Sequence, residues 1–418
     1  MGGIGMSALA QMLQNGGAQV SGSDREAGPV TELLEGKGIR VIIGQKAENV
    51  PADTELVVYS DAVGEDNPER ARARSLGIRQ LSYFAMLGAV SEGKRTIAVA
   101  GTHGKTTTTG MLAKILKDAE AEPTAIIGSI VKDFGSNYVS GTSPLFVVEA
   151  CEYRDHLLEL SPEVLVVTNL EWDHTDYFPS LEALQETFRK AIVRVPKEGV
   201  IVTNPADAAL NPLLEAAAAR IVDYTEEPAY DLRLPGVFNQ NNARAAAAAA
   251  RSILPSITDG MISKSLSAFR GTWRRFEYKG KTIHGAEVYD DYAHHPTAIR
   301  ATLEVLREKT KGKLYVAFHP HLYSRTRDLL DGFATAFTDA DVVLLAPIFP
   351  AREIDDGSIS SGILAERIRS YGTDAVALDS FGAIVEALAP AGEGDIVVTM
   401  GAGDIYKVAD RITTSMKK

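Results

Sequence analysis

Residues 94–110 read KRTIAVAGTHGKTTTTG, and no other stretch of the chain narrows its fold as much. A short run of β-branched and apolar residues enters a glycine turn, and the turn enters the helix-forming segment MLAKILKDAEA. A strand that passes through a tight turn directly into a helix opens a βαβ unit, which predicts a parallel sheet covered by helices. The turn also carries chemistry. Backbone N–H groups at Gly101, Thr102, His103 and Gly104 and at the helix start near Thr107 can cradle a triphosphate. Lys105 can neutralise it, and the Thr106 hydroxyl can hold Mg2+. A strict P-loop would have glycine at position 99, where this chain has Val99.

The same strand-helix rhythm recurs on both sides. It appears before the turn in GGAQVSGSD, GIRVIIG and TELVVYSDAV, and after it in LFVVEA, VLVVTNL and GVIVTN. The periodicity breaks around SAFRGTWRRFEYKG and resumes at AEVYDDYAHHPTAI, KLYVAFHPHLYSRT, DVVLLAPIFPA and DIVVTMGAGDIYKV. A chain of 418 residues exceeds one ordinary core. The expectation is an α/β protein of three domains. These are a Rossmann-like domain at 1–93, a central P-loop ATPase-like parallel sheet at 94–272, and a Rossmann-like α/β domain at 273–418. Ala243 to Ala250 predicts a close-packed helix.

Charge and composition exclude several classes. The balance of 43 Lys+Arg against 55 Asp+Glu gives a net charge of -12, which disfavours nucleic acid and anionic lipid as partners. The single cysteine, Cys151, rules out an internal disulfide and suits a reducing compartment. No apolar run has the length of a membrane span, and the amino terminus lacks the blocks of a signal peptide, so a cytoplasmic location is expected.

Other candidate residues fall at strand ends, where open α/β sheets bind ligands. Glu149 ends LFVVEA, and His174 follows VLVVTNL. Mg2+ prefers oxygen and keeps several waters, so one carboxylate plus substrate phosphates suffices, with His174 as an occasional nitrogen ligand. The bland alternative is a solvated loop carboxylate. Near the start, Gly3, Gly5 and Ala8 lead into a helical run with Asp24 beyond, a dinucleotide-type turn whose preceding strand is missing. Farther on lie Asp290, Asp291, His294, His295, His319, His321, Arg325 and Arg327. Without cysteine or a helical His pair these fit zinc poorly, and a cationic, hydrogen-bonding wall for an anionic substrate fits better. Arg274 and Arg275 could add charge to the nucleotide, though such pairs are more often surface.

Taken together, GGIGMSALA, SGSD, GTHGKTTT, VVEACEY, TNLEWDH, NQNNARAA, RRFE, DDYAHHPTAI, HPHLYSRT and GAGDIYKV resemble, in order and spacing, the Mur ligases of bacterial cell-wall synthesis. The resemblance implies a domain for a UDP-sugar, one for ATP and Mg2+, and one that closes over them with an amino acid. The implied reaction is ATP-dependent joining of that amino acid to the sugar-borne carboxylate through an acyl phosphate. The implied partners are UDP-N-acetylmuramate and L-alanine.

By the same resemblance Lys105 contacts the β- and γ-phosphates, Thr106 and Glu149 hold magnesium, and His174 helps bind a second magnesium. Asn239 and Asn242 touch the nucleotide, and Arg275 and Asp291 lie on the ATP side. His321 and Arg325 hold the acid and the incoming alanine, and Gly3, Gly5, Ser7 and Asp24 form the UDP-binding turn. The chain departs from the family pattern in three places. The family has a strand and another glycine before the point where this sequence begins. Cys151 stands within Glu149-Ala150-Cys151-Glu152 where an Asp is usual, and Phe238 replaces a common His. Two alternatives stay open: a sister ligase that attaches a whole tripeptide, and a nucleotide-binding regulator without catalysis.

Overall fold

The computed structural model describes residues 1–413. They pack as two compact units, the first comprising Met1–Glu171, Glu182–Arg233 and Gln240–Arg270, the second Trp172–Leu181, Leu234–Asn239 and the described residues from Gly271 onward. Both are α/β, as the strand-helix rhythm predicts.

The first unit opens with β1 (Ser21–Asp24) and β2 (Arg40–Ile43), a parallel pair, and β3 (Leu56–Tyr59) and β4 (Arg79–Ser82), a second parallel pair. Its main sheet contains β5 (Arg95–Ala100), β6 (Thr124–Val131), β7 (Ser136–Val139), β8 (Leu145–Glu149), β9 (Val164–Val167), β10 (Val200–Thr203) and β11 (Arg220–Asp223). The spatial order is β11-β10-β9-β5-β8-β6-β7, and only β7 runs antiparallel to its neighbour. Strands buried on both faces read as unbroken apolar runs, which is why β8, β9 and β10 lack alternation. Most important for the site, β5 is central and lies between β8 and β9, so the ends of all three strands border the turn that follows β5.

Residues 1–93 cluster within this unit, and the segment packs against the main sheet. Its opening helix, Ile4–Asn15, packs on β6 and β7. A buried polar network ties them: Asn137 Nδ2 donates to Ile4 O at 2.6 Å and to Ser7 Oγ at 2.9 Å, and Gln11 Nε2 donates to Asn137 Oδ1 at 3.0 Å. Ser136 Oγ donates to Gln11 Oε1 at 3.0 Å.

The second unit holds β12 (Glu277–Lys281), β13 (Glu287–Asp291), β14 (Leu314–Phe318), β15 (Val342–Leu345), β16 (Asp374–Ala377) and β17 (Ile396–Met400). Their order is β12-β13-β17-β14-β15-β16, parallel except at the β12 edge. Alternation along β14 sorts its side chains into two cores: Leu314, Val316 and Phe318 meet Ile299, Leu303 and Phe333, while Ala317 meets Ile384, Ile405 and Val408. Asp291, Phe318 and Met400 all end their strands at one edge of the sheet.

The alanine-rich helix, Val237–Ile253, is close-packed as expected, with Ala243 and residues 245–250 buried. Among the described residues no helix is long and apolar enough to cross a membrane.

Candidate active site

The turn after β5 is rigidly built. Gly101 has φ 121° and Gly104 has φ 83°, the left-handed region that glycine alone enters without strain. Space enforces the choice too, because a Cβ at Gly101 would lie 2.2 Å from Thr168 Oγ1, and one at Gly104 would lie 2.2 Å from Asn242 Oδ1. Val99 explains the departure from the strict P-loop spacing. It is a buried β5 residue paired in register with Glu149 and Val166, and the turn begins only at Gly101.

The segment after β9 holds the turn from the other side. Thr102 N donates to Asn169 O at 3.1 Å, and His103 N donates to Asn169 Oδ1 at 3.0 Å. Asn169 Nδ2 and Thr168 Oγ1 both donate to His103 O, at 3.1 and 2.6 Å. Thr102 Oγ1 donates to Glu171 O and accepts from Glu171 N, at 2.9 and 2.8 Å. Thr168, Asn169 and Glu171 are therefore loop-building residues that sequence reasoning quoted only inside a motif. Their signal was position, at the end of the strand beside β5.

From the turn begins the helix Lys105–Asp118. Thr106 Oγ1 donates to Glu149 Oε2 at 2.9 Å, and Gly128 N donates to the same oxygen at 2.9 Å. Two hard oxygen donors thus stand side by side at the mouth of the turn, the donor chemistry that Mg2+ requires when substrate phosphates and water complete its shell. Thr107 is buried in the first helical turn, and Thr108 Oγ1 donates to Asn242 Oδ1 at 3.3 Å, which puts Asn242 against the glycine turn.

The Lys105 ammonium donates to Gly101 O at 2.5 Å and to both Glu152 oxygens at 3.0 Å, with Thr102 O at 3.3 Å. Burial by itself would lower its pKa, but the negative charge of Glu152, with Glu149 behind it, holds the value above lysine's usual one. Cys151 is the opposite case. Burial first, then the Glu152 carboxylate, push its thiol up to about 12, so the residue replacing the family's Asp is a neutral, inert thiol.

At the amino terminus, Asp24 accepts from Gly2 N at 2.6 Å and pairs with the Met1 ammonium at 3.2 Å. Burial would raise its pKa, but the amino terminus and the Gly2 and Glu26 amides leave it lowered. Gly3 caps the first helix, and Gly5 lies against the Tyr83 ring, where a Cβ would meet Cζ at 2.7 Å. Ser7 is fully buried, donating to Ile4 O at 2.8 Å and accepting from Asn137.

The second unit gathers the remaining candidates. Its strap, Trp172–Leu181, carries Asp173 and His174. Buried Asp173 accepts from Arg325 Nε at 2.7 Å, and His174 has φ 52° with its N–H donating to Asp173 Oδ1. Burial would raise the Asp173 pKa, yet the charge of Arg325 holds it well below the usual range. Arg325 NH1 also donates to His321 Nδ1 at 3.1 Å. A guanidinium can only donate, so neutral His321 carries its proton on Nε2. His294 Nδ1 faces Tyr292 O at 2.9 Å, and a carbonyl can only accept, so neutral His294 is the Nδ1–H tautomer. Between His321 and Tyr323, Leu322 has φ 72° and ψ 135°, a strained backbone held by its surroundings.

In the expected cationic, hydrogen-bonding wall, the histidines are the hydrogen-bonding part. Burial and the Arg325 charge hold His294 well below its usual value, and burial with Arg325 and Arg352 lowers His321 to about 3. Burial chiefly lowers His319 to about 4. All three are neutral near pH 7, and the positive charge there comes from arginine. The Arg274 guanidinium is buried and bonded to Asp290 Oδ2 at 2.8 Å, Gly401 O at 2.6 Å and Gly403 O at 2.8 Å. Its neighbour Arg275 stacks over Tyr292 at 4.7 Å. Asp291 accepts from Ala293 N at 2.9 Å and Thr302 Oγ1 at 3.0 Å; burial raises its pKa against the pull of Arg275. Asn239 is buried and donates to Pro235 O at 2.7 Å.

A central parallel strand, a glycine turn with Lys and Thr at a helix start, and a carboxylate on the neighbouring strand define a nucleotide-triphosphate-using α/β enzyme. Comparison with known proteins narrows the class. Residues 1–95 match the Mur ligase family catalytic domain, 99–231 the Mur ligase middle domain, and 274–403 the Mur ligase glutamate ligase domain. The chain belongs to the Mur ligase family of ATP-dependent amide ligases. It is 40% identical to a UDP-N-acetylmuramate--L-alanine ligase of Acetivibrio thermocellus, over 98% of this chain and 93% of that one, and 37% identical to one from Clostridium kluyveri over 98% and 96%. Among solved structures it resembles the UDP-N-acetylmuramate-alanine ligase of Thermotoga maritima, with a TM-score of 0.81, 28% identity and coverage of 100% and 97%. A murein peptide ligase from Psychrobacter arcticus is also similar, with a TM-score of 0.74, 26% identity and coverage of 99% and 96%.

Proposed function

We propose that this protein joins L-alanine to the lactyl carboxylate of UDP-N-acetylmuramate, converting ATP to ADP and phosphate, as a cytoplasmic step of peptidoglycan precursor synthesis. The observation that carries the reading is the glycine turn with Lys105 and the Thr106–Glu149 pair at the end of the central strand. The choice of substrates is supported by the activity named for curated relatives at 36–40% identity over nearly the whole chain.

A carboxylate does not react with an amine at neutral pH, so its oxygen must first take the γ-phosphoryl group. That transfer depends mainly on positioning and charge neutralisation. In this reading the amides of residues 101–104 orient the triphosphate and Lys105 neutralises its β- and γ-phosphates. Thr106 and Glu149 hold Mg2+, with His174 the proposed ligand of a second ion. Bound there, magnesium would offset phosphate charge and polarise the transferring group. Asn239, Asn242, Arg275 and Asp291 are assigned to the nucleotide. His294, His321 and Arg325 are assigned to the acid and the incoming alanine, and Gly3, Gly5 and Asp24 to the UDP-sugar end, where buried Ser7 fixes the turn's backbone through Ile4 and Asn137. The amine then attacks the acyl phosphate, and cationic or N–H donors stabilise the tetrahedral oxyanion until phosphate leaves. No side-chain nucleophile is needed.

The likeness to a murein peptide ligase motivates one second reading, transfer of a tripeptide to the same acceptor. The test is phosphate release from ATP and Mg2+ with UDP-N-acetylmuramate, adding L-alanine, the tripeptide, or neither. Release dependent on L-alanine supports the proposal. Release only with tripeptide replaces it with the second reading, and silence throughout leaves a non-catalytic nucleotide-binding protein.

A further inference from the structure

The acidic residue that the reaction scheme leaves without a task is Glu152. Its side chain is 2% exposed, and both oxygens lie 3.0 Å from the Lys105 ammonium. An ammonium has three protons. Here it faces four acceptors: Gly101 O, Thr102 O and the two Glu152 oxygens. Its donor capacity is filled, so a phosphate oxygen can gain a hydrogen bond from Lys105 only by replacing one of them. The two carbonyls belong to the turn itself, which Thr168, Asn169 and Glu171 brace. The partner that can be exchanged without dismantling the turn is the carboxylate.

We propose that Glu152 is the positioning residue of the phosphate loop, holding the Lys105 ammonium at the turn and yielding it when the β-phosphate of a nucleotide arrives. Glu152 thereby competes with phosphate for one cation and sets how tightly nucleotide binds. The inference rests on the nucleotide reading of the turn given above. It makes Lys105 prearranged rather than mobile, so the nucleotide meets a lysine already at the loop, and product ADP is released as the carboxylate reclaims it.

The test is calorimetric titration of the full-length protein, with magnesium, by ADP and by AMP, which lacks the β-phosphate. Glu152→Gln keeps size and one acceptor oxygen but removes the competing charge. It is expected to bind ADP about tenfold more tightly than the unmodified protein, the scale of one charged hydrogen bond, with AMP unchanged. In a Lys105→Met background the same substitution is expected to leave ADP affinity unchanged, because there is no cation to release. Glu152→Asp, which keeps the charge but draws it back by one methylene, is expected to tighten ADP by a smaller factor and serves if Glu152→Gln does not fold. Equal or weaker ADP binding in the folded variants overturns the proposal. So does an equal gain with and without Lys105, which would mean that Glu152 merely repels phosphate. Failure of the unmodified protein to bind ADP at all would instead overturn the nucleotide reading itself.

Discussion

Replacing Lys105 by Met removes a phosphate-binding charge, and it also removes the cation paired with a buried carboxylate. The Lys105 side chain is 14% exposed and that of Glu152 is 2%. Taking one member from a buried ion pair costs about 3–5 kcal/mol, because the other charge is stranded out of water. The loss has a ceiling. A stranded glutamate can take up a proton, and at pH 7 that costs about 1.36 kcal/mol for each unit above an ordinary value near 4.3, or roughly 3.7 kcal/mol. The expected destabilisation of Lys105→Met is therefore about 3 kcal/mol at pH 7, read from the midpoint of urea unfolding. Two further results identify the cause. The loss shrinks as the pH is lowered, since protonating the stranded group becomes easier, and Lys105→Met/Glu152→Gln recovers most of the stability while turnover stays absent. A single variant as stable as the unmodified protein, or a double variant no better than the single, would refute the argument that the pair is buried and mutually compensating.

Gly104→Ala combines a left-handed φ of 83° with a Cβ 2.2 Å from Asn242 Oδ1, so kcat/KM for ATP is expected to fall at least about tenfold; unchanged ATP kinetics would contradict the steric reading of the turn. Cys151, with its thiol pushed up to about 12, is expected to resist iodoacetamide at pH 8 in the native protein and react after unfolding, and Cys151→Ala should keep activity within about twofold. His319 titrates at about 4 when folded and near 6.5 when unfolded, so the unfolded chain binds more protons between those values. Stability present above about pH 6.5 is thus lost on acidification towards pH 4, and His319→Gln should flatten this slope by up to about 1.4 kcal/mol per pH unit in urea unfolding at several pH values.

What the sequence revealed was mostly local. The β5 turn was legible because an apolar strand, two glycines and a Lys-Thr pair sit within a few residues, and the same backbone geometry follows wherever that pattern occurs. Glu149 was legible from its place at a strand end. Its pairing with Thr106 follows because β8 lies beside β5 in register, Val99 opposite Glu149. Val99, by contrast, looked like a defect in a motif, and its reason is that the strand runs two residues farther than the strict pattern assumes.

Less legible was everything set by contacts distant in sequence. The Lys105–Glu152 pair joins the helix start to the segment after β8, and nothing in either string says that their charges meet. Ser7 looked like part of a ligand turn, yet Asn137, on a strand of the central sheet, takes up its hydroxyl. The histidines of the second unit, read together with Arg325 and Arg327, suggested a cationic and hydrogen-bonding wall. Their protonation is decided by burial and by the fixed charges of Arg325 and Arg352, neither readable from spacing. Arg274 and Arg275 are adjacent in the chain and both lie over Tyr292, but the Arg274 guanidinium is buried and bonded to Asp290 and two backbone carbonyls.

The central claim is that a triphosphate held at residues 101–106 phosphorylates the sugar-borne carboxylate before the amine attacks. Turnover of UDP-N-acetylmuramate labelled with ¹⁸O in its carboxylate, with ATP and L-alanine, tests it most directly. Transfer of one labelled oxygen from each carboxylate to the released inorganic phosphate is the predicted result, and unlabelled phosphate accompanying formation of the amide would contradict it.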